Sequence, residues 1–168
     1  FWVQMFAGEP QEYIVHQGMF LHPVSRFIEH VLKDRKLKAR YGKAARRYLD
    51  LIGKIADKHE RDWVDMTRTA GAYRFPPLKT DRFPNRILPH NQYMAIGRAY
   101  LYLQSVSRKR LFSDRAERMA RNFKRSLRKT GRAYTWHYWD WIEEGEPGYS
   151  NVEDTSHGHI DIGFVADA

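Results

Sequence analysis

The sequence predicts an all-α fold built from helical hairpins, and two observations favour it. Segments 36–66 and 113–130 carry apolar residues at steps of three or four and cations on the opposite face, which is typical of amphipathic helices. Each follows a more uniformly apolar segment, at 13–32 or 93–103, as expected of a helix buried on most sides. The order of a buried helix, a wet helix and a loop therefore occurs twice.

Local signals refine these elements. Pro23 lies inside the first segment, which predicts a kink or a restart of the helix there. In the second, the apolar stripe runs from Leu37 to Trp63. Ser113 is the predicted N-cap of the helix over 113–130, and Gly131 suits its C′ position.

The final segment has two interpretations. Ile160, Ile162 and Phe164 alternate as in a strand. Read as a whole, 152–168 fits a third buried helix that starts near Asp154 or Thr155, and the preceding order favours this helix.

Length and composition set limits on the class of protein. The 168 residues predict one domain, with hairpins at about 13–66 and 90–130 and the start of a third at 153–168. A hydrophobic content of 42% argues against intrinsic disorder, and the lack of Cys excludes a disulfide scaffold. No apolar run is long enough to predict a membrane span. The sequence begins at Phe1 rather than at an initiator Met, and its last residues, 164–168, continue an apolar pattern. We therefore expect a fragment of a longer chain.

Charge is distributed unevenly along the chain, whose net charge is +9. Residues 133–168 contain eight acidic residues and no Lys or Arg, so 1–132 hold 29 basic against 12 acidic residues, a net +17. A basic body favours a polyanionic partner, although solvated helix faces explain it equally well. No phosphate-binding loop or nucleic-acid-reading motif is present, so we expect no nucleic-acid partner.

Three histidines mark the starts of the apolar segments. His16, His90 and His157 are separated by 74 and 67 residues. In a barrel of helical hairpins the inner helices end around one mouth, so these side chains are expected to converge there. Helix amino termini also present unpaired N–H groups and a positive dipole to a ligand.

The segment 89–93 could carry acid–base chemistry. His90 can act as a general base near neutral pH, Asn91 and Gln92 can hydrogen-bond a carboxylate, and Tyr93 can exchange a proton. The alternative is a capping Asn beside a satisfied His, with Tyr93 in the core.

The segment 134–141 has an aromatic ring at six of its eight positions. Trp136 and Trp139 offer flat faces for sugar rings or bases, while His137 and Tyr138 offer protons. An aromatic plug that closes one end of the core is the alternative.

Three interpretations compete for 153–159. Asp154 could orient His157 as a base, Asp154 could hold a metal with His157 and His159, or Asp154 and Thr155 could cap a helix. The metal interpretation requires a strand, because i,i+2 residues share a face only there. We therefore expect no metal.

Three stretches together carry a family resemblance: 8–19, 88–93, and 136–139 followed by 153–158. They resemble the polysaccharide lyases with an (α/α) toroid fold that cleave alginate or glucuronan. The resemblance covers most of the chain and implies an incomplete toroid, since a closed one needs more hairpins than this chain supplies.

The resemblance implies β-elimination at a uronic acid of an acidic polysaccharide. It implies His90 as base, Asn91 as neutraliser of the substrate carboxylate, Tyr138 as acid or as combined acid and base, and His157 as second base or neutraliser. The implied substrate contacts are His16, Gln17, Tyr93, Trp136, His137, Trp139 and Glu153. A catalytic Arg is also common in such lyases, and Arg74 and Arg132 both remain candidates.

The same resemblance implies no metal, cofactor or membrane partner, and a secreted or periplasmic location. Three alternatives stay open: a glycoside hydrolase with Glu153 or Asp154 as general acid, a uronyl epimerase, and a non-catalytic module that binds a polyanion. The preferred uronate and the oligomeric state are not specified by the sequence.

Overall fold

A computed structural model describes residues 4–6, 9–77, 83–139 and 152–168 of the chain. Within them the protein is mostly helical. The five helices are α1 (Ile14–Lys33), α2 (Arg35–His59), α3 (His90–Leu103), α4 (Arg110–Ser126) and α5 (Thr155–Asp167). The six strands are β1 (Gln4–Phe6), β2 (Glu9–Gln11), β3 (Trp63–Asp65), β4 (Gly71–Tyr73), β5 (Arg128–Thr130) and β6 (Ala133–Thr135).

The strands form three two-stranded antiparallel sheets that pair β1 with β2, β3 with β4 and β5 with β6. An all-α class is therefore wrong in detail, although helices dominate. The strands are three residues long. Strands β3 and β5 replace the ends of the helices predicted over 36–66 and 113–130, and β4 and β6 lie in the segments that follow those helices.

The helices form two layers. Helix α3 lies between α1 and α5, while α2 packs against α1 and α4 packs against α3. The three inner helices, α1, α3 and α5, run in the same direction. Helix α1 contacts α3 at Gly18 and Ile96, and Ser105 just beyond the end of α3 donates to Glu29 near the end of α1. Tyr102 near the end of α3 donates to Asp167 at the end of α5. All three amino-terminal ends thus lie on one side.

Helix α3 is the centre of the core. Ten of its fourteen residues are buried, including Tyr93, Met94, Ile96 and Tyr100, which confirms the helix predicted there as buried on most sides. Helix α4 presents Met119 and Phe123 to α3, as predicted, together with Phe112, while Arg115 and Arg118 are half-buried against Trp63. Nearly complete burial of α3 requires neighbours on every side.

Pro23 does not break α1, which is one continuous helix of 20 residues. The proline is exposed, whereas Leu21, Ser25 and Ile28 face the core. The helix therefore does not restart at Pro23.

The second helix is shorter than predicted. Helix α2 ends at His59, a 3-10 turn follows, and Trp63 begins β3. There the Trp63 ring packs edge-on against Tyr73, with centroids 5.0 Å apart, and lies 4.2 Å from the Arg115 guanidinium carbon. A Trp at helical spacing continues the stripe in sequence, but pairing with β4 determines its position.

The ends of α4 also differ from the prediction. The helix starts at Arg110, with Lys109 at the N-cap and no capping side chain. Ser113 lies inside the helix, where its hydroxyl donates to the Arg110 carbonyl over 3.0 Å. Gly131 has a φ of 62° but serves the turn between β5 and β6, since the helix ends at Ser126.

The last segment is a helix, so the strand interpretation is wrong. Asp154 is its N-cap and accepts hydrogen bonds from the backbone N–H groups of Ser156 (2.7 Å) and His157 (2.9 Å). In the part of the chain that the structure describes, every helix is too short or too polar to cross a membrane.

The contact of α1 with α3 should be sensitive to one methyl group. A Cβ on Gly18 would lie 2.3 Å from the Ile96 backbone nitrogen, so Gly18→Ala must separate the helices and should lower the free energy of unfolding by about 2 to 3 kcal/mol. Gly53→Ala is the matched control: it also lies within a helix, has nothing within 4 Å and should raise stability by about 0.5 to 1 kcal/mol. Urea unfolding measures both, and equal effects would contradict the close packing at Gly18.

Candidate active site

The segment 136–139 connects the amino-terminal ends of α3 and α5. The His90 N–H donates to the Tyr138 carbonyl over 3.2 Å, and the Glu153 N–H donates to the Trp136 carbonyl over 2.9 Å. His137 forms a backbone bridge with Val152. These backbone contacts fix where the side chains of 136–139 lie relative to both helices.

At this junction the Tyr138 phenol contacts the His157 imidazole, which in turn contacts the Asp154 carboxylate. The rings of Tyr138 and His157 are edge to face, with centroids 5.0 Å apart. His157 Nδ1 lies 2.7 Å from Asp154 Oδ2, and the Gln92 amide donates to the Tyr138 hydroxyl over 3.3 Å. Both rings are half-buried, so they keep contact with solvent. This is an arrangement in which a carboxylate orients an imidazole beside a second proton-exchanging group.

Asp154 is ionised in this arrangement. Hydrogen bonds from the Ser156 hydroxyl, then from the backbone and ring of His157, hold the pKa of the Asp154 carboxyl well below its usual range. An ionised Asp154 fixes the orientation of the His157 ring through the contact of its Oδ2 with Nδ1.

A pair of carboxyl groups, those of Glu153 and Asp161, lies behind the segment 136–139. Asp161 is 0% exposed; its Oδ2 accepts a hydrogen bond from the Trp136 indole over 2.9 Å, and its carboxyl group contacts that of Glu153. Burial raises the pKa of Asp161 to about 8, and it also raises the pKa of Glu153. The two carboxyls share a proton at neutral pH, since two carboxylates this close repel each other.

A glycine permits this packing. A Cβ on Gly158 would lie 3.2 Å from Glu153 Cγ and 3.4 Å from Trp136 Cζ2. Helix α5 therefore holds Glu153 and Trp136 tightly at its first turn.

His90 and Tyr93 lie beneath the junction. His90 Nδ1 is 2.5 Å from the Tyr93 hydroxyl, which also accepts a hydrogen bond from the Asn122 amide over 3.3 Å. His90 is 2% exposed and its ring packs edge-on against Phe123. Its backbone supports Tyr138, but its side chain is within the core.

Asn91 and Gln17 are buried as well. Asn91 is 4% exposed, and its Oδ1 has no hydrogen-bond partner among the described residues. Gln17 Oε1 is 3.1 Å from His59 Nε2, and burial lowers the pKa of His59 to about 4, so that His59 is neutral. His16 is exposed on α1 beside Tyr13.

The two candidate sugar platforms have different surroundings. Trp139 is buried against Phe75 and Phe83, and its indole donates to the Ile87 carbonyl over 2.5 Å, so it plugs the core. Trp136 is half-buried, with an edge contact to Phe123. The rest of the aromatic segment, from Asp140, lies outside the described residues.

The structure thus brings together Trp136, His137, Tyr138, Glu153 and His157, with His90 and Tyr93 beneath them. His16 and Gln17 belong to α1, and no contact joins them to this group in the described part of the chain.

The site also includes one residue that the sequence prediction missed, Asp161, which accepts a hydrogen bond from Trp136. Gln92, predicted together with Asn91 as an amide that can bind a carboxylate, contacts Tyr138. The signal for Asp161 was its position one helical turn after His157, within an apolar run. Of the two candidate arginines, Arg74 lines the same small cavity as Gln92, whereas Arg132 is exposed in the turn between β5 and β6.

A cation could be held by Glu153, Asp154 and His157, whose ligand atoms lie within 4.8 Å of one another. His159 does not join them, because its Nδ1 contacts the Ser156 carbonyl at 2.5 Å. The metal set of Asp154, His157 and His159 is thus not assembled on this helix.

The carboxyl pair should make stability depend on pH. Asp161 has an ordinary pKa near 4 in the unfolded chain and about 8 in the folded protein, so its stabilising effect is complete below about pH 4 and is lost as pH rises to about 8. Relative to Asp161→Asn, the wild type should lose up to about 1.4 kcal/mol of unfolding free energy per pH unit in this window. Urea titrations at several pH values measure this, and parallel curves would contradict the shared proton.

No family model, curated protein or solved structure matches this chain, so its functional assignment rests on its own residues.

Proposed function

We propose that the protein cleaves an acidic, uronate-containing polysaccharide by β-elimination, with Tyr138 and His157 as the reacting groups. The observation that carries this proposal is the contact of a half-buried phenol with an imidazole that an ionised Asp154 orients. Both proton-exchanging groups that the reaction requires are present within one ring contact.

The proposed reaction begins with removal of the C5 proton of a uronate by His157. The electron pair forms the C4–C5 double bond, the C4–oxygen bond breaks, and Tyr138 gives its proton to the leaving glycosidic oxygen. Asp154 stabilises the positive charge that His157 acquires. The phenol then recovers its proton through solvent or from His157.

The buried placement of His90 supports a different role from that of the base. With its ring bonded to Tyr93 and its backbone to Tyr138, we assign it to positioning the phenol. Gln92 and Arg74 are the donors that we assign to neutralising the substrate carboxylate, since the Arg74 Nε is buried without a partner among the described residues. Without such donors the C5 proton is too weakly acidic to remove.

The arrangement of the helices in two layers supports a proposal about the fold, namely that the chain is part of an (α/α) toroid. Parallel inner helices, of which α1 and α3 each have an outer helix, are what a segment of an (α/α) toroid contains. Helix α5 leaves Ile162 60% exposed, which fits a further hairpin against it. The same proposal places the protein outside the cytoplasm, where such polymers occur.

A glycoside hydrolase is the second candidate, and the adjacent carboxyl groups of Glu153 and Asp154 favour it. The raised pKa of Glu153 suits a general acid, and the neighbouring Asp154 is ionised. The two reactions differ in their products, because only elimination leaves an unsaturated uronate.

The test is the ultraviolet absorbance of unsaturated uronate during incubation with alginate, polyglucuronate, hyaluronan or pectate. We expect it to rise with one polymer and to fall by about 100-fold in His157→Ala and in Tyr138→Phe. His159→Ala is the matched control, since His159 is exposed two residues further along α5, and it should retain activity.

Two results would refute the lyase. New reducing ends without absorbance would establish the hydrolase, and a folded protein that cleaves none of these polymers would exclude both reactions.

A further inference from the structure

A second concave surface lies far from the candidate active site. It is an open groove of about 1010 Å³ between α2 and the connection from α3 to α4, and we call it the basic groove. It begins at Leu32 and Lys33, the last residues of the inner helix α1. Because a helix of 20 residues is about 30 Å long, nearly that distance separates the groove from the amino-terminal ends that form the site.

Cations dominate the lining of the basic groove. Its six cationic side chains are those of Lys33, Lys38, Arg46, Lys54, Arg108 and Lys109. Asp50 and Asp57 are the two carboxylates that line it. The excess of positive charge lies within a concave surface, where field lines from several cations add.

Most of these cations are not neutralised by the protein. Lys33 pairs with Glu29 at 2.6 Å, and Lys109 pairs with Asp57. Among the residues that the structure describes, none of the remaining four has a carboxylate within ion-pair distance; these are Lys38, Arg46, Lys54 and Arg108. A ligand with negative groups could therefore pair with them without displacing an internal partner.

One of the unpaired cations folds back along its own helix. A Cβ on Gly42 would lie 3.4 Å from an Arg46 guanidinium nitrogen and 3.3 Å from Lys38 Cγ. The Arg46 head group therefore lies along α2 over the side of Gly42, next to the aliphatic part of Lys38.

The start of α4 adds to this potential. Lys109 is the N-cap, no side chain caps the helix, and its first turn has no acidic residue. Helices α2 and α5 instead have Asp34 and Asp154 at this position. Asp57 pairs with the Lys109 side chain, but no carboxylate of the first turn interacts with the positive end of the helix dipole, which favours a bound anion there.

The other lining groups indicate the chemistry of the ligand. Asp50 and the Ser107 hydroxyl can accept hydrogen bonds from alcohols but would repel or ignore a closely spaced row of phosphates. The one aromatic residue in the lining, Phe112, is buried and offers no face for stacking a base. A lining that contains both cations and acceptors for hydroxyl groups fits a chain that carries both carboxylates and hydroxyls.

We propose that the basic groove binds a second segment of an acidic polysaccharide, away from the reacting groups. The ligand class rests on the proposed function, whereas the groove, its unpaired cations and the uncapped helix do not. Such a site holds the polymer on the protein between cleavage events.

The test compares charge-matched variants. In a Tyr138→Phe background, which prevents turnover, the fluorescence polarisation of a fluorescein-labelled oligouronate reports binding. The double variants Lys38→Gln/Arg46→Gln and Lys54→Gln/Arg108→Gln should each weaken binding about tenfold. Lys43→Gln/Arg47→Gln removes the same charge from exposed positions of α2 outside the groove, and it should change binding by less than about twofold.

Three outcomes would overturn the proposal. Equal losses in the control would mean diffuse attraction to the surface, and no loss in any variant would mean that the groove is unused. Tighter binding of duplex DNA with the same pattern of losses would make the groove a nucleic-acid site.

Assays of cleavage separate this proposal from the proposed function. In the wild-type background, the groove variants should cleave a short oligouronate normally and the polymer more slowly. If no unsaturated uronate forms but the binding pattern holds, the lyase fails and the groove stands. If cleavage occurs and the groove variants behave like the wild type, only the groove proposal fails.

Discussion

Helix α3 has almost no surface that water can solvate, and covering it is the constraint on which the fold depends. The side chains of α1, α4 and α5 each take one side of it, and Gly18 lets the backbone of α1 touch that of α3. Dispersion and apolar burial at these contacts stabilise the inner layer, and the outer helices then require only one apolar face each. The positions of the helix ends, and hence of the candidate site, follow from this packing.

The polar groups at the amino-terminal ends of the inner helices lie at two distances from the protein surface. Within the core, the Tyr93 hydroxyl joins His90 and Asn122 by hydrogen bonds, and the His90 backbone supports the segment 136–139. Nearer to solvent, Tyr138 and His157 meet beside Asp154. Buried polar groups that are paired rigidify their surroundings, so the inner network limits how far the outer groups can move apart.

Periodicity in the sequence predicted the helices well, because each outer helix has one apolar face and each inner helix is apolar on most of its sides. It failed at Trp63, where strand pairing replaced the helical continuation, and at Gly131, whose positive φ serves a hairpin rather than a helix end. For the site, the starts of the apolar segments predicted that His16, His90 and His157 converge, and the structure brings only the segments of His90 and His157 together, through 136–139. Sequence spacing could not predict how deeply each side chain is buried. The position of α4 decides whether His90 faces solvent or Phe123, and spacing does not determine that position.

The contact between Gly18 and Ile96 has a consequence for the order in which the chain folds. Residues that meet across α1 and α2 are close in sequence, whereas those that join α1 to α3 are separated by the whole of α2 and both strands of the β3–β4 hairpin. Closing such long loops costs entropy before any contact repays it, so hairpins form early and docking of the inner helices comes late. The candidate site, built from segments on either side of α4, is therefore completed only in the last stage of folding.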